Sequence, residues 1–155
     1  MLDTTTQDAL WFLDTLINVR VSCEESADGI SVIESVAPWG HSPPLHVHTT
    51  EDEIFRVLDG DFRFVVGDEE ITATAGDTLC APQGVPHTFR VESERGHWLV
   101  VTAHGDFERF VRAMSRPAER EDLPVVDGPP TDEQQETLAR VAAAHNCTIL
   151  GPPLG

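Results

Sequence analysis

Two histidines, His46 and His48, stand one residue apart in "PPLHVHTTEDEIFRVLDG", with Glu51, Asp52 and Glu53 close behind and an apolar run after them. On a β-strand, residues i and i+2 leave the same face, so both imidazoles point one way. If that face is the inside of a closed sheet, their nitrogens converge as transition-metal ligands do. Alone, a His-x-His pair is as much at home on a solvated surface. Three acids compete for the carboxylate position. Thr49 to Asp52 reads as a polar turn, and the strand beginning near Ile54 puts Glu53, Phe55 and Val57 on one face by alternation. Glu53 is therefore the inward acid, whereas Glu51 and Asp52 read as a solvated loop.

A second cluster strengthens this reading. "GDTLCAPQGVPH" ends in His87, framed by Pro82, Gly84 and Pro86, which force a tight turn and fix where that histidine points. Three imidazoles and one carboxylate are the ligand stock of a mononuclear metal centre with open positions. His41, His97, His104 and His145 lie outside both clusters and read as surface or internally satisfied polar residues. Cys80 reads as a small buried hydrophobe. Phe55, Val57, Phe62, Phe64 and Phe89 read mainly as core, with two or three of them free to touch a ligand.

Composition narrows the chemistry. The 155 residues are of single-domain size. Ten basic residues against 27 acidic ones give a net charge of −17, which disfavours nucleic acid and anionic membranes as partners. The chain contains no lysine and no tyrosine, so Schiff-base catalysis, a lysine-type phosphate loop and phenolic acid–base chemistry are excluded. Three cysteines without a Cys-x-x-Cys pair do not make a disulfide framework, and "MLDTTTQDAL" lacks the features of a signal peptide. No apolar run reaches the length of a membrane span, and the cytoplasm is the expected compartment.

The positioning elements are short strands. "WFLDTLINVRV" and "GISVIESVAPWG" are rich in β-branched and aromatic residues. "EIFRVLDGDFRFVVGDEEITATAGD" breaks at Asp59-Gly60 and Gly67-Asp68, which predicts an antiparallel meander. "GDTLCAPQGVPHTFRV" and "HWLVVTAH" continue the series, and the whole implies a β-sandwich or barrel. The tail differs. "DFERFVRAMSR" has helical spacing with Asp106 as the expected N-cap, and "TDEQQETLARVAAAH" opens with a Thr131–Gln134 or Asp132–Gln135 capping box. "CTILGPPLG" reads as irregular. The expected layout is a β-barrel over residues 10–104 with a helical appendage, residues 105–155, of the same domain.

These residues resemble the cupins. The first cupin motif is a glycine, five residues, His-x-His, four residues, a glutamate, six residues and a glycine; Gly40, His46, His48, Glu53 and Gly60 fill it. Gly76, Pro82, Gly84 and His87 fill the second motif, with Val91 where an asparagine that is not a ligand is usual. The resemblance implies an all-β jelly-roll barrel of antiparallel strands and a divalent transition metal (Fe, Ni, Mn, Co, Cu or Zn) held by His46, His48, Glu53 and His87. "GHSPPLHVHTTEDEIFRVLDGDFRF", "APQGVPHTFRV", "GDFERFVRAM" and "ILGPPL" look most like the quercetinase-like small cupins. That likeness implies a dioxygenase taking dioxygen and an aromatic, flavonol-like or other hydroxy-carbonyl substrate, with Glu53 as ligand and catalytic proton acceptor. The alternatives are a non-redox polyketide cyclase or isomerase, and a small-molecule-binding cupin without catalysis. A homodimer is expected, with the N-terminal strand or the C-terminal helices contributing.

Overall fold

The computed structural model describes residues 9–155. Residues 1–8, which hold most of the stretch read above as lacking a signal peptide, lie outside them. In chain order the described elements are β1 (Leu10–Phe12), β2 (Thr15–Val21), β3 (Ser31–Pro38), β4 (Leu45–His48), β5 (Glu53–Asp59), β6 (Phe62–Val66), β7 (Glu69–Ala73), β8 (Thr78–Ala81), β9 (His87–Val91), β10 (Arg95–Thr102), α1 (Asp106–Met114), β11 (Arg116–Pro117), α2 (Asp132–Ala144) and β12 (Cys147–Gly151). They form a seven-stranded sheet in the order β11-β1-β2-β3-β10-β5-β8 and a five-stranded sheet in the order β12-β4-β9-β6-β7. All pairings are antiparallel. This is the all-β architecture expected from the strand pattern.

Alternation decides which side chains go inside. Ile33 and Ala37 of β3, Phe55 and Val57 of β5, and Trp98 and Val100 of β10 are buried from the larger sheet. Phe62 and Phe64 of β6, Ala73 of β7, and Phe89 and Val91 of β9 are buried from the smaller one and join the same core. Its centre is aromatic, with ring centroids 5.1 Å apart for Phe55–Phe64, 5.2 Å for Phe64–Phe89 and 5.4 Å for Phe62–Trp98. Such tilted and edge-to-face contacts add to the burial energy of each ring.

Several expectations are corrected. Strands β5 and β6 do not pair: β5 lies between β10 and β8, and β6 between β9 and β7, so the chain changes sheets at Asp59-Gly60. Only the Gly67-Asp68 break makes a hairpin of that predicted meander. "WFLDTLINVRV" is itself a hairpin, turning at Leu13 with φ 54°. Gly105, not Asp106, is the N-cap of α1 and supplies no side-chain bond. At α2 the capping box is Thr131–Gln134, with both reciprocal bonds present. "CTILG" is not irregular but strand β12, paired with β4, because its backbone completes the open edge of that strand. Cys80 is exposed at the outer face of β8, across from the exposed Ile54.

The tail is tied in by polar groups as well as strands. Glu108 of α1 is buried and accepts from Cys23 N–H at 2.6 Å, Ser31 Oγ–H at 2.6 Å and Arg112 Nε–H at 3.1 Å. Burial alone would raise its pKa, but the bonds from Ser31 and Cys23 outweigh that and hold it at about 2. Phe110, Ala142 and Cys147 form a second small core between α1, α2 and β12, with Phe12, Leu138 and Ile149 packed on it.

Gly60 has φ 94°, and a Cβ there would lie 2.5 Å from the Arg95 carbonyl oxygen. Gly60→Ala should cost more than about 1 kcal/mol, read as a lower urea midpoint at unchanged slope. Because the folded pKa of Glu108 is depressed, its contribution is complete above pH about 4.5 and is lost as pH falls toward about 2. Glu108→Gln should lower stability at neutral pH by roughly 2 kcal/mol and flatten the acid limb of the stability profile; an unchanged limb would assign that limb to other carboxylates.

Candidate metal centre

Three imidazoles come from the smaller sheet and the carboxylate from the larger one. His46 and His48 share a face of β4, and His87 opens β9 directly opposite His46. Glu53 opens β5, paired with Ala81 of β8. The turn before His87 is pinned to β4 by Gly84 N–H donating to the His48 carbonyl at 2.8 Å, and closed by Val85 N–H on the Pro82 carbonyl at 3.1 Å. Ring centroids are 4.4 Å apart for His46–His87, 5.0 Å for His46–His48 and 5.5 Å for His48–His87. One ligand atom from each of His46, His48, Glu53 and His87 lies within 4.8 Å of every other.

Hydrogen bonds fix two of the rings. His46 Nδ1 donates to the Pro44 carbonyl at 2.7 Å, and His87 Nδ1 to the Val85 carbonyl at 3.1 Å. A carbonyl only accepts, so Nδ1 carries the proton in both and Nε2 is left as the inward atom. Glu53 Oε2 lies 2.6 Å from His87 Nε2 and 3.3 Å from His48 Nε2. His48 Nε2 is buried with no hydrogen-bond partner among the described residues.

Electrostatics follow from burial and proximity. Burial would raise Glu53, but His48 and His87 hold its carboxyl well below the usual range. Burial and the neighbouring His87 lower His46 to about 4. Burial would lower His48 too, yet the Glu53 carboxylate and the Cys147 thiol raise it to about 11. A carboxylate only accepts, so each nitrogen facing it must bring a proton or share a cation with it. Four convergent donors, with two buried imidazole nitrogens turned to one carboxylate oxygen, therefore fit a divalent ion.

The surroundings hold one residue that the sequence reading misplaced. Glu51 is not a solvated loop acid: it is buried, and Oε1 accepts the Phe107 N–H at 2.7 Å. It supplies the cap that Gly105 lacks, where the helix dipole favours negative charge. No local spacing marks it, because its partner is far along the chain. Asp52 is exposed and accepts from Gln83 N–H at 2.7 Å. Phe107 meets His48 edge-on at 5.7 Å, and Phe55 meets His87 at 6.3 Å. The other histidines are placed as expected: His41 bonds Asp14 at 2.7 Å, His97 bonds Glu34 at 2.7 Å, His145 bonds the Val141 carbonyl at 2.8 Å, and His104 is exposed.

Residues 32–102 match the cupin domain family. Over 113 residues the chain is 28% identical to quercetin 2,3-dioxygenase of Bacillus subtilis, covering 72% of this chain and 32% of that protein. The chain thus spans about a third of that curated relative. Among solved structures, a predicted oxalate decarboxylase from Thermotoga maritima superposes with TM-score 0.59 at 19% identity, covering 66% of this chain and 98% of that one. The polyketide cyclase RemF from Streptomyces resistomycificus gives 0.57 at 19% identity, covering 86% and 89%. At such identity these two likenesses speak for the fold alone. Family match, fold and the sequence likeness agree: the chain carries a cupin domain over residues 32–102, with similarity to quercetin 2,3-dioxygenase.

Proposed function

We propose that this cupin is a metal-dependent dioxygenase acting on an aromatic, flavonol-like or otherwise enolisable hydroxy-carbonyl compound. The observation that carries the reading is the convergence of His46, His48, Glu53 and His87 within 4.8 Å, with the Nε2 atoms of His48 and His87 both turned to Glu53 Oε2. The sequence likeness to quercetin 2,3-dioxygenase supports the reaction class. A bound divalent ion (Fe, Ni, Mn, Co, Cu or Zn) would supply an electrophile for the substrate's enol oxygen and, if redox-active, a route for electrons to dioxygen.

The chain's own groups supply the rest. Glu53 is the proton acceptor in this reading: its Oε2 is the one carboxylate oxygen at the centre, where a substrate hydroxyl brought to the ion would meet it. Phe55 and Phe107 meet the imidazoles edge-on and keep water from that side of the cluster. The carbonyls of Pro44 and Val85 hold two imidazole planes in place. A homodimer is part of this proposal: β7 and β8 each keep one edge without a strand neighbour among the described residues.

The purified protein should carry one tightly held transition metal per chain by elemental analysis. His48→Ala should weaken binding by roughly 100-fold or more, beyond the usual effect of disturbing an outer-shell partner. Equal metal content in that variant would reassign the site. Loaded with iron, nickel, manganese, cobalt or copper, the protein should consume oxygen with a member of a flavonol and aromatic-polyketide panel. Turnover without oxygen uptake would favour a cyclase or isomerase, and no uptake and no turnover would favour a binding protein.

A further inference from the structure

Of the three imidazoles in the cluster, His48 lacks the backbone lock of the other two. His46 and His87 each donate Nδ1–H to the carbonyl two residues before them, Pro44 and Val85. His48 closes β4, and its neighbour across the ladder is Cys147, the first residue of β12. Directly opposed residues of an antiparallel pair keep their Cβ atoms about 5 Å apart on one face. Both residues are buried, and their pairing sets the Cys147 thiol beside the His48 ring. Since Nε2 is the atom turned toward Glu53, Nδ1 is the nitrogen left for the sulfur.

We propose that Cys147 is the positioning residue for His48: its sulfur accepts the Nδ1–H, setting the tautomer and ring plane that present the Nε2 lone pair to the metal. The inference rests on the metal reading above and deepens it. Sulfur is a weak but soft acceptor, and Cys147 belongs to the second core with Phe110 and Ala142, against which Phe107 packs. Metal affinity is thereby coupled to the docking of β12, because Cys147 reaches His48 only while β12 keeps its register on β4. Cys23 and Cys80 sit away from this contact, half-buried and exposed respectively.

Two substitutions separate positioning from packing. Cys147→Val stays apolar, removes the acceptor and adds about a methyl of volume; Cys147→Ser keeps an acceptor and loses volume. The probe is cobalt(II), read by chelator competition and by its visible ligand-field bands, with thermal unfolding of each metal-free protein as the measure of packing. Positioning predicts that Cys147→Val binds cobalt roughly 10–100-fold more weakly with altered bands, while Cys147→Ser stays close to wild type in both. A packing role predicts the reverse order. Cobalt binding by Cys147→Val equal to wild type overturns the inference, as does an equal loss in both variants. A sulfur-to-cobalt charge-transfer band in the wild type would also overturn it, because the thiolate would then be a ligand. Wild-type protein that binds no cobalt would sink the metal reading itself.

Discussion

The burial of the Glu53 carboxylate is the constraint on which this structure turns. An isolated ionised acid between two sheets would cost several kcal/mol. It is tolerated because two imidazole nitrogens from the opposite sheet face its Oε2, at 2.6 and 3.3 Å. The two sheets thus meet through a charge at this end of the shell and through rings elsewhere, where Phe55 and Trp98 of one sheet pack on Phe62, Phe64 and Phe89 of the other. The polar cluster fixes the register of β4, β5 and β9 relative to one another. A one-residue slip of β4 would turn both histidines away from Glu53.

The C-terminal segment belongs to the same problem. Glu51, two residues before Glu53, caps α1 through Phe107 N–H, and Thr50 bonds Asp106 at 2.7 Å. Phe107, one residue into that helix, turns its ring onto His48. From the other side, β12 lines the edge of β4 and places Cys147 against the same imidazole. A helix and a strand that look like an appendage in the sequence therefore complete the wall around one ligand.

What the sequence makes legible is what depends on local geometry. The i, i+2 rule puts His46 and His48 on one face, alternation singles out Glu53, and the Pro/Gly turn aims His87. Strand pairing is different in kind. Nothing near Asp59-Gly60 tells a hairpin from a change of sheet, since that depends on β10 and β9, which come later and take the neighbouring places. Glu51 looks solvated in a run of acids because the N–H groups that need it belong to α1. Cys80 has the composition of a core position but the parity of an outer face. "CTILG" has too little length to declare itself a strand until β4 offers an edge.

The filled interior also limits where chemistry can happen. Phe55, Phe64 and Phe89 touch one another at 5.1 to 5.8 Å and are buried, so the side of the cluster facing the barrel core is occupied by rings. Of the four residues of the cluster only His46 is not fully buried. Its neighbours are Pro44, which fixes its ring, and Ile149, opposite it on β12. The least buried edge of the cluster is therefore at His46, against β4 and β12, and not on the barrel side. That geometry makes the last strand of the chain part of the cluster's surroundings as well as part of the fold.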